Sequence, residues 1–353
     1  LRAGELSLAA TRLEMVETLT AVDEATVRIA LRYPFALLPE LLSSPVYGVV
    51  PDAALDGSVG SGPLVLAGDR LEPSSPDSEA AGLAGVELVL LPDDAAAVTR
   101  FEAGDVDLAY ATVDHEGPVD VTVGSAVEAH YVLNTRAAQL GDPLVRAEVV
   151  AAVSRTVVSD AGFGEAAIPV DQIVPELLAC ADPCGGGLGA TSVVFDASLS
   201  IAYADDSTGR EAALADALVA ELAAASIPAV ASGYDVAEFV SRVSAGDDDL
   251  FRAGWVGLFP SPDSQLSPFT SASPDNTSAW ANADFDALIA EARRTGDPVA
   301  YREAQVLLTQ DAVVLPVARL QVRALVSEAV AGLVLRHDGT FEASSLQVVA
   351  PGS

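Results

Sequence analysis

Apolar and polar positions along this chain change their period repeatedly, and each change marks a strand giving way to a helix or the reverse. From Thr26 the segment TVRIALRY alternates and predicts a strand, and FALLPELLSS behind it predicts a short apolar helix broken by Pro39. Gly60, Gly62 and Pro63 in SVGSGPLVLAGD stand just ahead of a β-branched and leucine run, the pattern of a tight entry into a strand. Residues 70–82, RLEPSSPDSEAAG, are polar and read as a surface loop or hairpin tip, followed by the continuous apolar run VELVLLP, which reads as a buried strand. DDAAAVTRFEAGDVDLAY then predicts a helix with Asp93 and Asp94 in its first turn, Val98 and Phe101 on one face, a stop at Gly104 and a strand behind it.

The second half is more regular. SLSIAYADD predicts a strand, GREAALADALVAELAAAS an amphipathic helix with Leu214, Leu218 and Leu222 in one stripe, and IPAVAS a second strand. Such a βαβ unit is right-handed. DVAEFVSRV and DLFRAGWVG continue as helix and strand, so 190–257 is expected to form a sheet layered with helices. ADFDALIAEARR, capped by Asp284, and DPVAYREAQVLLTQDA, with Pro298 in its first turn, predict two more helices before a closing strand LPVARLQVRALV. The class is α/β, no internal repeat is present, and 353 residues suggest two domains.

Composition restricts the partners. Fifty-one acidic residues stand against eighteen basic ones, all arginine, for a formal charge of −33. That field repels nucleic acid and anionic membrane surfaces, and it reads as a solvated acidic surface rather than a site for cationic ligands. No stretch approaches the roughly 18 apolar residues of a membrane span. The chain starts at Leu1 without Met, basic n-region or cleavage pattern, so its localisation must be argued from elsewhere.

Candidate chemistry is sparse. Cys180 and Cys184 lie in ACADPCGGG, either closing a small disulfide in an oxidising compartment or standing as two reduced loop thiols. His115, His130 and His337 have no His or Cys at ligand spacing and read as loop or edge residues, which leaves no metal site or cofactor. Asp105 and Asp107 read as strand carboxylates meeting solvent or a helix end rather than an acid/base pair. Ser58 and Ser61 lack the G-x-S-x-G order of a nucleophile elbow, and GGGLGA lacks the Lys-Ser/Thr of a phosphate loop. With no nucleophile, base or metal pair, the chain does not read as an enzyme. There remain Trp255 and Phe259 in RAGWVGLFPSPDS and Trp280 in DNTSAWANADFD, either the aromatic walls of a ligand site or core residues.

Several of these segments, taken in order, resemble the family-5 extracellular solute-binding proteins that include the oligopeptide- and dipeptide-binding proteins of ABC importers. The segments are VDEATVRIALRYPF, GSGPLVL, DDAAAVTRFEAGDVDLAY, YVLNTRAAQLGDPLVRAEVVAAVSRTVV with Asn134, Arg146 and Arg155 in the matching places, FRAGWVGLFPSPDSQLSPF, ANADFDALIAEARR and VVLPVARL. They span residues 22 to 330. The resemblance implies a periplasmic-binding-protein-like type II bilobal fold, with mixed sheets and helices on both faces. It implies an extracytoplasmic protein, periplasmic or a cell-surface lipoprotein, that captures a peptide or other small solute without catalysis. That protein would act as a monomer and deliver its solute to an ABC permease.

Set against the family, 1–57 is expected to be the remnant of a small extra domain, 58–134 with 331–353 one lobe and 135–330 the other, with the hinge at YVLNT and near 330. Leu1 falls near the end of that extra domain, so the chain reads as N-terminally truncated. Ser154 stands where the family carries an aspartate before Arg155. In peptide binders the third residue after the Trp of the GW motif is an aspartate that pairs with the peptide ammonium; here it is Leu258, with Asp263 the nearest substitute. The expected ligand contacts are Asn134, Gly254, Trp255, Leu258, Phe259, Asp263 and Trp280. Truncation and Leu258 also leave open a sensory or scaffold protein that reuses the fold.

Overall fold

The structure is a computed structural model that describes residues 13–44, 47–49, 60, 62–75, 83–110, 121–174, 194–206, 208–256, 259, 261–336 and 340–349. Its centre is a seven-stranded mixed sheet. Strands β6 (Leu108–Tyr110), β7 (Val121–Leu133), β8 (Ala167–Pro169), β9 (Leu199–Ala204), β10 (Ala229–Tyr234), β11 (Leu250–Val256) and β12 (Val314–Val326) build it in the order β10-β9-β11-β7-β12-β6, with β8 beside β12. Strands β9 and β10 run parallel across helix α5 (Arg210–Ala224), the βαβ unit read from the sequence, whereas β7 pairs antiparallel with both β11 and β12.

The two faces bury separate cores. On one, Tyr131 and Leu133 of β7 meet Leu214, Leu218 and Leu222 of α5, all fully buried as the helical stripe predicted. Helices α3 (Pro143–Ala151) and α4 (Arg155–Phe163) share this side. On the other, Val132 and Val314 meet Phe285 and Ile289 of α8 (Ala283–Thr295) and Tyr301, Ala304 and Leu308 of α9 (Pro298–Gln310). The family-matching residues earn their places structurally. Buried Arg146 donates to the carbonyls of Leu140, Gly141 and Asp311, Arg155 to those of Val150 and Val153, and Ser154 caps α4.

Strand β12 is irregular. Pro316 pairs with His130 but Ala318 with Ala129, so β12 carries an extra residue, and a second register shift falls between Arg319 and Gln321. Beyond it β12 pairs with β6 instead of β8. A hairpin of β1 (Val16–Ala21) and β2 (Val27–Leu31), the short helix α1 (Leu38–Leu42), a three-stranded sheet of β3 (Leu64–Ala67), β4 (Arg70–Pro73) and β5 (Val86–Glu87), helix α2 (Asp94–Glu102) and the pair β13 (Val330–Ala331) and β14 (Gln347–Val348) complete the description outside the central layers.

Five expectations need correction. VELVLLP is not a buried strand: β5 is two residues long and Leu90 is 96% exposed. The loop expected at 70–82 starts as strand β4, because RLEP is the returning arm of a hairpin. Asn282, not Asp284, caps α8, accepting from the N–H groups of Asp284 and Phe285. Asp105 and Asp107 precede β6 rather than lie in it; Asp105 meets a helix end as expected, facing Arg100 in the last turn of α2 at 3.4 Å, and Asp107 accepts from the Ser327 hydroxyl. His130 lies in the middle of the sheet and is 5% exposed, since an interior strand carries it to the core. Cys180, Cys184, His115, His337, Ser58, Ser61 and the GGGLGA run lie outside the described residues.

Candidate functional site

Cross-strand partners share a face of a sheet. Phe251 pairs with Val132, Ala253 with His130 and Trp255 with Glu128, so β7 and β11 present one continuous surface made of these six side chains. Helix α6 (Val236–Ala245) crosses beside it, and the segment 268–277, which follows the short helix α7 (Pro262–Leu266), rises on the other side. Between them opens a cleft of about 390 Å³. Its floor holds His130, Val132 and Phe251, α6 contributes Phe239 and Val243, and the end of β11 contributes Trp255.

Alternation builds the floor and helical spacing builds the wall. Phe239 and Val243 are four residues apart on one side of α6, a helix that Asp235 caps and Gly246, at φ 72°, ends. Gly254 is required where it stands, since a Cβ there would meet the Glu128 carbonyl at 3.0 Å.

Electrostatically the floor is neutral. Burial first, and the positive charge of Arg252 second, push the His130 imidazole down to about 3, so it is uncharged near neutral pH. Its Nδ1 has no hydrogen-bond partner among the described residues. Arg252 itself is engaged by Glu211 at 2.8 Å. Further along the same face Glu128, 2% exposed, meets Arg319 at 3.7 Å, and burial raises its carboxyl well above the usual range. Among the described residues no group of three or more His, Cys, Asp or Glu is placed to hold a metal ion.

Of the residues expected from sequence, Gly254 and Trp255 line the cleft. Asn134 does not: it is 1% exposed, and its amide donates to the carbonyls of Gly246 and Asp248 while its oxygen accepts from the Arg136 N–H. Trp280 is core, packed edge-on to Phe285 at 4.9 Å with Nε1 donating to Asp311. Asp263 is held by Arg293 through two bonds of 2.7 and 3.2 Å and accepts from the Tyr301 hydroxyl. Phe259 packs with Met15, Phe35 and Leu41 beneath the N-terminal hairpin. Leu258 lies outside the described residues. Sequence reasoning missed His130, Phe239, Phe251 and Phe269. The alternation through AHYVLN and the i, i+4 pair in DVAEFVSRV were the available signals.

The central mixed sheet with helices on both faces is that of the bilobal periplasmic-binding-protein-like type II fold. Solved structures share the fold. HbpA2 from Haemophilus parasuis matches with TM-score 0.78 at 17% identity, covering 96% of this chain and 76% of that one. The Escherichia coli murein tripeptide binding protein MppA matches at 0.68 and 18%, covering 94% and 74%. DppA from Helicobacter pylori in complex with peptide STSA matches at 0.68 and 17%, covering 96% and 75%. No protein-family model matches the chain.

Curated relatives agree in sequence. Di/tripeptide-binding protein 4 of Pseudomonas aeruginosa is 36% identical over 112 residues, 30% of this chain and 21% of that protein. Di/tripeptide-binding protein 2 of the same organism is 23% identical over 355 residues, 86% and 66% of the two chains. The probable deoxycholate-binding periplasmic protein YgiS of Escherichia coli is 32% identical over 77 residues, 21% and 14%. This chain thus spans less than two thirds of the length of these relatives. In collinear motifs, fold and relatives alike the chain is similar to the family-5 extracellular solute-binding proteins.

Proposed function

We propose that the chain is the extracytoplasmic solute-binding component of an ABC importer, non-catalytic and monomeric, which captures a peptide or other small solute and passes it to a membrane permease. The observation that carries this reading is the cleft beside Trp255, concave and largely apolar with a single buried polar side chain, in a chain whose relatives are binding proteins. Among the described residues no helix is long and apolar enough to cross a membrane, consistent with a partner supplying the channel. Relatives named for binding murein tripeptide, di/tripeptides and deoxycholate leave peptide as the first class to test and a non-peptide solute as the second.

The lobes, 58–134 with 331–353 against 135–330, would be joined through β7 and β12. We move the bounds between them from 134 and 331 into those strands, to a bend near 125–127 and 319–321 where β7 gains β11 as neighbour and β12 exchanges β8 for β6, so that the whole cleft belongs to the 135–330 lobe. Closure there would bring the first lobe over the cleft. Thermal denaturation with di- and tripeptides and deoxycholate tests the function, since a ligand held only by the native state at a hundred times its Kd adds about 2.7 kcal/mol. A midpoint unmoved by every one of these compounds would sink the reading.

A further inference from the structure

The cleft's lining narrows its ligand. Phe251 and Phe269 are buried against it, Phe239 reaches it from α6, and Trp255 closes one end. Aromatic rings favour an aromatic guest, in edge-to-face or offset contact. The volume of about 390 Å³ suits one large ring with the atoms that flank it.

Polarity sets the rest. His130 lines the cleft, is buried and keeps Nδ1 without a partner among the described residues. A buried polar atom left unmatched is costly, so a guest that supplies a hydrogen-bonding group is favoured over one of the same shape without it. Either ring nitrogen can carry the proton, and a hydroxyl, which both donates and accepts, satisfies either tautomer. A cation is opposed by the positive field of Arg252 that is felt at His130. An anion would meet largely apolar walls and the Asp275 carboxylate beside Thr277, with the Arg252 guanidinium already taken by Glu211.

Resting on the solute-capture reading, we propose that the cleft is a pocket for a hydroxylated aromatic group, a tyrosine side chain in a peptide ligand, with the ring against Phe251, Phe269 and Trp255 and the hydroxyl bonded to His130 Nδ1. The aromatic wall supplies affinity and His130 supplies the choice of tyrosine over phenylalanine.

Calorimetry with the unaltered chain and the peptides Ala-Tyr-Ala, Ala-Phe-Ala, Ala-Leu-Ala and Ala-Glu-Ala, and with 4-ethylphenol and ethylbenzene, tests this. Ala-Tyr-Ala is expected to bind about ten-fold tighter than Ala-Phe-Ala, with Ala-Leu-Ala and Ala-Glu-Ala weaker still. In His130→Leu the tyrosine preference should collapse to parity while phenylalanine affinity holds. Should His130→Leu not fold, Phe239→Ala on the half-exposed α6 is expected to weaken both aromatic peptides several-fold. Equal binding of Tyr and Phe peptides by the unaltered chain, a preference that survives His130→Leu, or tighter binding of Ala-Glu-Ala overturns the inference and leaves solute capture standing. If no peptide binds but 4-ethylphenol is preferred to ethylbenzene, the peptide reading fails and the pocket's chemistry stands. Binding of none of the six overturns both.

Discussion

Glu128 and Arg319 are register partners across β7 and β12, both nearly sealed from solvent, with Nε 3.7 Å from Oε1. Neither atom makes a hydrogen bond to a described residue, so the pair is held by charge more than by geometry. Removing one partner of such a pair strands the other in the interior. Arg319→Leu is therefore expected to cost roughly 3–5 kcal/mol in urea denaturation, and the double variant Glu128→Leu/Arg319→Leu to regain most of it. A single variant as stable as the parent would show that water reaches the carboxylate.

Asp263 distinguishes a structural acid from a ligand-binding one. Its two bonds to Arg293 and the one from Tyr301 tie α7 to α8 and α9. Asp263→Asn should lower stability by about 3 kcal/mol and leave ligand affinity within two-fold. A large loss of affinity at unchanged stability would return Asp263 to the site.

The two tryptophans are expected to separate cleanly. Trp280→Phe gives up the indole bond to Asp311 and core packing, costing on the order of 2 kcal/mol with affinity preserved. Trp255→Ala should do the opposite, weakening the ligand at least ten-fold with little change in the unfolding midpoint. The pair of measurements fails if both substitutions act on the same property.

His130 should make stability fall in mild acid. Its imidazole is held from the ordinary 6.5 down to about 3, so the native state binds fewer protons than the unfolded chain between those values. Stability is then complete above pH 6.5 and lost as pH drops toward 3, by up to about 5 kcal/mol. The charged groups near it are Arg252 across the strand, Glu128 along β7 and Asp275 at the cleft rim. Since other carboxylates titrate in the same range, the readout is the difference between parent and His130→Phe from pH 7 to 4. A flat difference would contradict an imidazole that stays neutral.

Local periodicity made most elements legible: the Leu214, Leu218 and Leu222 stripe, the βαβ unit and the helix opening on Pro298 stand where the sequence placed them. What the pattern could not carry was which face meets what. VELVLLP is as apolar as any core strand, yet most of it lies past a two-residue pairing. Trp255 and Trp280 sit in similar Gly/Pro/Asn surroundings, and only the register of β11 against β7 turns one toward the cleft. Asp263 finds Arg293, and Glu128 finds Arg319, across separations that short-range spacing does not encode. The family motif was legible as residues, but Asn134 and Arg146 serve backbone carbonyls rather than a ligand.

The extra residue of β12 between Pro316 and Ala318 works as a phase inverter. Before it, odd positions such as Leu315 enter the α5 core; after it, odd-numbered Arg319 lies on the opposite face, level with Glu128. Deleting Val317 would restore plain alternation, with Pro316 opposite His130, Ala318 opposite Ala129 and Arg319 still level with Glu128, so the bulge is the place where a residue can be lost with both faces kept. In this strand the place of a deletion decides its effect: at the bulge it leaves both faces as they are, whereas inside the regularly paired stretch on either side it turns a strand face inside out.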